Sequence, residues 1–329
     1  MDEWRKVGNG GAFISVENAN IFKSLPASSV LWKVFLSRFL IYVGHSIERG
    51  KERTKTPLKE GFRYKDIYSK LKTKVPLHDR CLEIEGVKKF PKGIAGVLTH
   101  TNFLYIHNER TVVKLSDMGS KDMGDLRECW LEKCQAMEVV FDDYALAKHQ
   151  TMLRCLEKLR ISRLMKLHNM CLTKGLLGNE SFGQLRHLYM EYCPKVVNIF
   201  TSAVGLENLE VLEIKFCARV EEVFRGKFKD KGALRKLHKL VLFELPNLKS
   251  IVREVELVAL KNVQVRGCRQ LRKLPITNDA SVTVTGESKW WEQLEWEDDK
   301  MKPVIQFNRW KPYTTLKREV ITVFPLEIL

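Results

Sequence analysis

The chain has 329 residues, of which 44% are hydrophobic and 29% are charged, a balance typical of soluble globular proteins. No apolar run reaches about 18 residues, so no membrane-spanning helix is predicted. The longest candidate, Val30 to Val43, is interrupted by Lys33 and Arg38. The N-terminus lacks the basic-then-apolar layout of a signal peptide, and we therefore expect a cytoplasmic protein.

The net charge of +16 raises the question of a polyanionic partner. Residues 1–80 hold 16 Lys and Arg against 8 Asp and Glu, which is half of the excess. These basic residues are interspersed among polar and apolar ones, with no run of five. The pattern favours a solvated basic face over a specific nucleic-acid site.

Residues 1–75 do not repeat and are predicted to form a basic helical or irregular segment. The glycine-rich stretch Gly8 to Gly11 is not followed by Gly-Lys-Ser/Thr, so it indicates a turn and no phosphate cradle. Val30 to Ile41 carries a helical apolar stripe that Gly44 would end. A second, shorter amphipathic helix is predicted over Tyr64 to Leu71.

Residues 76–285 repeat, most clearly between Phe182 and Phe224. Leu188 and Leu212 hold the same place in two similar stretches, at an offset of 212 − 188 = 24 residues, which is typical of leucine-rich repeats. The pattern predicts an α/β solenoid with short parallel strands on the concave face and irregular or helical convex segments. The equivalent strand residues in the other repeats are Leu82, Leu104, Cys129, Leu159, Leu240 and Val263. Val282 to Val284 is predicted to be the last strand.

Four cysteines share one place in the repeats: Cys134, Cys193, Cys217 and Cys268. Other repeats have Leu164 and Leu245 there, so we expect a buried slot in which each thiol can bond to the backbone of the next coil. No Cys-x-x-Cys or Cys/His quartet occurs, and we predict no metal site.

Strand residues that alternate with the inward ones must face outward. Aromatic and arginine side chains among them, or just beyond them, are what protein interfaces use as anchors. We predict that a protein partner docks on this face. The predicted binding residues are Trp130, Arg160, Tyr189, Tyr192, Glu213, Phe216, Phe243 and Arg266. The alternative for Phe216 and Phe243 is that they merely pad the sheet edge.

Residues 286–329 differ in composition from the repeats. Trp290, Trp291, Leu294 and Trp296 lie among acidic residues and are predicted to cap the last coil. Residues 301–329 are basic, contain three prolines, and are predicted to form a poorly ordered tail.

The repeat Leu-x-x-Leu-x-φ-x-x-Cys-Pro, where φ is apolar, resembles the leucine-rich repeats of plant intracellular immune receptors of the coiled-coil, nucleotide-binding class. Leu274-Pro275 and the stretch from Gly286 to Trp296 resemble the ends of their repeats and of their repeat domain. The resemblance implies a cytosolic sensor that recognises a pathogen effector or an altered host protein and restrains a nucleotide switch.

This sequence lacks the Gly-x-x-x-x-Gly-Lys-Ser/Thr of those receptors, and His78 in Leu77-His78-Asp79 is predicted to be an ordinary residue. We therefore expect a partial receptor that lacks the nucleotide-binding domain, has no cofactor and does not signal autonomously, with a full-length receptor as a further partner.

The sequence was compared with two alternatives to an immune receptor, an adaptor of a ubiquitin ligase and an enzyme. Leu25-Pro26 followed by Val30 to Phe35 resembles the short helical motif of F-box adaptors of ubiquitin ligases, which also carry Cys-bearing leucine-rich repeats. An enzyme is not predicted, because no Ser-His-Asp order, no His-Glu-x-x-His and no paired carboxylates stand out.

Overall fold

The structure is a computed structural model that describes most of the repeat region and short stretches on either side of it. The chain divides into two compact units, Met1–Leu185 and Arg186–Leu329, which are treated separately below. The described residues are 3–7, 11–16, 38–44, 80–87, 94–118, 123–141, 153–171, 182–200, 206–225, 234–253, 257–276, 281–296 and 305–310. Within them, no helix has the length and apolar character needed to cross a membrane.

The first unit contains a sheet of short strands, to which each coil of the chain contributes one strand. The sheet order is β1-β2-β3-β4-β5-β6-β8; β1 and β2 are antiparallel, the other neighbours are parallel, and β7 pairs with β9 in a separate two-stranded sheet. The strands are β1 (Glu3–Val7), β2 (Gly11–Val16), β3 (Arg38–Gly44), β4 (Arg80–Glu85), β5 (Phe103–His107), β6 (Glu128–Glu132), β7 (Val139–Phe141), β8 (Lys158–Ser162) and β9 (Asn169–Cys171). Helix α1 (Ile94–Thr99) and a 3₁₀ turn (Leu115–Met118) lie between strands.

The second unit has the same plan, with sheet order β10-β12-β14-β15-β16-β17 and all neighbours parallel. Its strands are β10 (His187–Glu191), β11 (Asn198–Phe200), β12 (Val211–Lys215), β13 (Glu222–Phe224), β14 (Lys239–Phe243), β15 (Asn262–Arg266), β16 (Thr283–Gly286) and β17 (Gln306–Arg309). Helix α2 (Ser288–Glu292) follows β16.

The strand register agrees with the offsets read from the sequence. Leu188 lies opposite Leu212, Leu212 opposite Leu240, and Leu240 opposite Val263. In the first unit, Leu82 lies opposite Leu104, Leu104 opposite Cys129, and Cys129 opposite Leu159. All of these side chains are buried, and each large one stabilises the fold by about 1.5–3 kcal/mol. The predicted leucine-rich-repeat architecture is confirmed.

The return segments contain more strand than predicted. Two pairs of short parallel strands, β7 with β9 and β11 with β13, lie where irregular or helical structure was expected. In the second pair, the rings of Phe200 and Phe224 stack with centroids 5.6 Å apart. An apolar residue followed by Phe recurs at matching positions in these two strands, and the packing of the side chains brings the two backbones close enough to hydrogen-bond.

The four repeated cysteines are buried, as predicted, but two of their thiols bond to the preceding coil, whereas the next coil was expected. Cys134, Cys193, Cys217 and Cys268 are buried free thiols. The thiol of Cys134 donates to the carbonyl of Ile106 at 3.6 Å, and that of Cys268 donates to the carbonyl of Leu242 at 3.5 Å. The sulfur of Cys217 accepts the N–H of Cys193 at 3.5 Å, which also links two coils.

The helix predicted over Val30 to Ile41 is wrong at its C-terminal end. Arg38–Gly44 is strand β3, in parallel register with β2 on one side and β4 on the other. Its aromatic and β-branched residues suit a strand, and pairing on both edges satisfies its backbone groups. Residues 8–10, the rest of that helix, and the helix predicted over Tyr64 to Leu71 lie outside the described residues.

Three of the residues predicted to cap the last coil are buried, and a further strand lies later in the chain. Trp290, Trp291 and Leu294 are buried, and the indole of Trp290 donates to the carbonyl of Leu271 at 2.9 Å. The strand at Val284 is not the last one, because β17 pairs with it. The prediction of a poorly ordered tail is wrong for 305–310, since Phe307 stacks on Trp291 and β17 adds a strand to the sheet.

Candidate functional site

A cluster of aromatic and charged side chains lies on the outer face of the sheet in the second unit. Alternation puts these side chains opposite the buried leucines of β10, β12 and β14. We call this surface the Lys215 face. It consists of Tyr189, Glu191, Tyr192, Glu213, Lys215, Phe216, Lys239, Phe243 and Arg266, all of which are half-buried.

The ammonium group of Lys215 lies at the centre of the face. Its Nζ atom is 5.2 Å from the ring centroid of Tyr189 and 5.5 Å from that of Phe243. Glu213 Oε2 holds the same Nζ at 2.9 Å. Lys215 is absent from the residues predicted above, although the alternation that selects Glu213 also selects it. Cation–π contacts of this kind contribute about 0.5–2 kcal/mol each.

Two lysines share the carboxylate of Glu213. Lys239 Nζ donates to Glu213 Oε1 at 2.8 Å, while Lys215 donates to the other oxygen. Burial acts to raise the pKa of Glu213, but the hydrogen bonds and charges of Lys239 and Lys215 outweigh it and hold that pKa below its usual value. The carboxylate therefore stays ionised and keeps both ammonium groups in place.

A flat pair of rings lies at the end of β10 and β12. Tyr192 and Phe216 stack with centroids 4.6 Å apart and planes only 7° from parallel. Both residues have a left-handed backbone, with φ of 53° and 55°. That conformation is uncommon for bulky residues and costs about 1–3 kcal/mol at each position. Each N–H donates to the carbonyl that ends the next strand, so the fold fixes this conformation.

The other end of the face is partly covered by the C-terminal segment. Trp310 packs edge-to-face against Phe243, with centroids 5.4 Å apart, and its indole donates to the carbonyl of Val265 at 2.9 Å. Arg266 lies 3.7 Å from Glu244 and is only 14% exposed. Phe243 and Arg266 therefore have structural contacts of their own, in line with the sheet-padding alternative for Phe243.

The two predicted residues of the first unit, Trp130 and Arg160, are neighbours on its outer face. The Arg160 guanidinium lies 5.9 Å from the Trp130 ring centroid. Trp130, however, is only 4% exposed, because Phe103 and Tyr105 pack against it edge-on and Glu128 accepts its indole hydrogen at 2.7 Å. Trp130 therefore offers little surface to a partner.

The buried thiols are poor nucleophiles. Burial raises the pKa of Cys134 and of Cys268 to about 12, so both are neutral at physiological pH. The pKa of Cys217 is lowered, chiefly by a hydrogen bond with Cys193, but that thiol is also enclosed in the core. The Lys215 face itself consists of stacked rings and paired charges.

The repeats match a known family. The family described as plant disease resistance protein RPS2-like, leucine-rich repeats, matches residues 102–205 and 174–278, which together span more than half of the chain. The chain belongs to this family. The stacked coils described above are the leucine-rich repeats that the family description names.

Similar proteins have related names. An Arabidopsis thaliana protein named for disease resistance, At4g19050, is 29% identical over 252 residues, covering 71% of this chain and 20% of that protein. Disease resistance protein RPS5 of Arabidopsis thaliana is 32% identical over 143 residues, covering 40% of this chain and 16% of that protein. The chain thus spans a fifth or less of the length of these relatives.

Among solved structures, the leucine-rich repeat domain of the type III effector XopL is similar over 74% of this chain and 88% of that domain, with a TM-score of 0.42 and 14% identity. At this level the comparison adds nothing to the strand register, on which the fold assignment rests.

Proposed function

We propose that this chain acts in plant defence as a recognition module, and that the Lys215 face binds a protein partner. The partner would be a pathogen effector or a host protein altered by one. The observation that carries the proposal is the half-buried cluster in which Glu213 holds Lys215 between Tyr189 and Phe243. Membership of a disease-resistance repeat family supports the setting in defence.

The composition of the face favours a protein over a nucleic acid. Its cations are paired with carboxylates, Glu213 with Lys215 and Lys239, while Glu191 accepts the hydroxyl hydrogen of Tyr189 at 2.5 Å. A phosphate backbone approaching this surface would meet those carboxylates. A protein can instead pack an apolar group on the Tyr192–Phe216 stack and pair its own charges around it.

The chain would work in the cytoplasm, without catalysis or a cofactor, together with a full-length receptor. The F-box adaptor hypothesis rests on Leu25 to Phe35, which lie outside the described residues, so no structural observation favours it.

Alanine substitutions on the face test the proposal. A partner is first identified by screening pathogen effectors and host proteins against the full chain, and its affinity is then measured by calorimetry. Tyr189→Ala and Phe216→Ala should each weaken binding by about 2 kcal/mol, because central aromatic anchors contribute at this level. Both variants should remain folded, with only a modest fall in the thermal midpoint, because each loses contacts within the face.

The control is His238→Ala, which removes an exposed ring outside the face and should leave binding unaffected. If both face variants bind as tightly as the wild type, or if both unfold, the Lys215 face is not the site. Binding of a Skp1-like protein, with no effect of the face variants on it, would instead support the adaptor hypothesis.

A further inference from the structure

Three side chains with metal-ligating atoms meet on the outer face of the first unit. Glu83 and Glu85 lie on β4, and His107 lies on β5 directly opposite Glu85. His107 Nε2 is 2.9 Å from Glu83 Oε1, and His107 Nδ1 is 3.7 Å from Glu85 Oε1. One ligand atom from each residue lies within 4.8 Å of the other two.

The three side chains are partly buried and held in place by their surroundings. The side chains of Glu83, Glu85 and His107 are 16%, 21% and 12% exposed. The imidazole stacks on the ring of Tyr105, with centroids 4.4 Å apart and planes within 16° of parallel. Tyr105 is fixed in turn by its hydroxyl, which donates to Glu132 at 2.9 Å. The ligand atoms are therefore positioned by two paired strands and a stacked ring.

We propose that Glu83, Glu85 and His107 bind a divalent transition-metal ion of the Zn²⁺ class. Zinc bound at about 2.0–2.1 Å in tetrahedral geometry places neighbouring ligand atoms about 3.3 Å apart. Glu83 Oε1 already lies 2.9 Å from Nε2, close to that value. Glu85 Oε1 lies on the Nδ1 side of the ring, at 3.7 Å, so the Glu85 carboxylate must rotate toward Nε2 to complete the site. Water fills the remaining position, as in other zinc sites with three protein ligands.

The charges of the three side chains suit a divalent cation. Two carboxylates face one imidazole, so the cluster supplies two negative charges to an ion. A divalent ion balances both carboxylates and leaves the imidazole neutral, which is the form that ligates metals.

The ligand types select the class of ion. Imidazole nitrogen suits zinc and other late transition metals, whereas Mg²⁺ and Ca²⁺ prefer oxygen alone. Asn108 supplies a further feature, because its side-chain amide lies 3.3 Å from His107 Nδ1. The amide nitrogen of Asn108 also donates to Glu85 Oε1 at 3.3 Å. Once Glu85 rotates toward the ion, the amide can turn so that its oxygen accepts the Nδ1–H, which leaves Nε2 for the ion and fixes the ring orientation.

The test is titration of the full, reduced chain with Zn²⁺, followed by calorimetry or by competition with a chromophoric chelator. We expect one ion per chain with a micromolar or lower Kd. Glu83→Gln, Glu85→Gln and His107→Ala should each weaken binding by about 100-fold or more, since each removes one of three ligands. Mg²⁺ and Ca²⁺ should not compete at the same concentrations.

Two controls separate this site from nonspecific binding and from misfolding. His238→Ala removes a histidine elsewhere and should leave the Zn²⁺ affinity unchanged, and circular dichroism should show that the isosteric Glu→Gln variants are folded. Co²⁺ substituted for Zn²⁺ should show visible bands without a thiolate charge-transfer band, because the ligands are nitrogen and oxygen. Absence of micromolar Zn²⁺ binding, equal binding by wild type and His107→Ala, or a thiolate band would each overturn the proposal.

Discussion

Replacement of Glu213 by glutamine tests the interactions that organise the Lys215 face. Gln keeps the shape of Glu213 but removes the charge that holds Lys215 at 2.9 Å and Lys239 at 2.8 Å. Hydrogen bonds to charged groups contribute about 1.5–3 kcal/mol, but exposed pairs contribute only about 0.2–1 kcal/mol. Lys239 is 37% exposed, so its pair with Glu213 is given the smaller contribution of an exposed ion pair. Lys215 is only 22% exposed, so its pair with Glu213 keeps the larger contribution. We expect Glu213→Gln to lower the free energy of unfolding by about 1–2 kcal/mol at pH 7.

The matched control is Glu221→Gln. Glu221 pairs with Lys249 at a similar 3.0 Å, but these two side chains are 47% and 59% exposed. Its substitution should cost less than about 0.5 kcal/mol. Both variants are measured by urea denaturation followed by circular dichroism, with Lys239→Met and the double variant completing a cycle for the Glu213–Lys239 pair.

The pH dependence gives a second check. Because the folded-state pKa of Glu213 is lowered, its contribution is fully present above the unfolded-state value near 4.5 and is lost as pH falls through the folded-state pKa. The stability difference between wild type and Glu213→Gln should therefore be constant from pH 7 to about pH 5 and shrink below about pH 4.5. Equal costs for the two glutamine variants, or a difference that grows on acidification, would refute the argument.

Three further predictions concern the core, the cap and nucleotide. Cys193→Ser should destabilise the protein by about 1–3 kcal/mol, because it places a more polar group in an apolar slot, and a thiol reagent should label Cys193, Cys217 and Cys268 only slowly in the folded protein. Gly286→Ala should lower the thermal midpoint, because a Cβ there would lie 2.7 Å from the ring of Trp290. Calorimetry with ATP and ADP should show no binding to the chain, since no phosphate-binding loop is present in the sequence.

The site could be predicted from the sequence only in part. Alternation along β10, β12 and β14 correctly places Tyr189, Glu213 and Phe243 on the outer face. It also places Trp130 there, but Phe103 and its other neighbours cover that ring. Alternation predicts the face of the sheet on which a side chain lies. Whether that side chain is exposed depends on the size of the side chains on adjacent strands.

The sequence alone determined the repeat architecture and the pairing of its coils. Leucines that recur at matching positions must share one core, so their offsets fix which residues lie opposite each other, as Leu188 and Leu212 do. Where a short segment could adopt more than one structure, only the tertiary structure decided which one forms. Arg38–Gly44 paired between two strands although the stripe of Val30 to Ile41 suits a helix, and Trp310 folded back onto Phe243. These choices depend on contacts with residues distant in sequence, and local periodicity does not encode which distant edge or ring will be available.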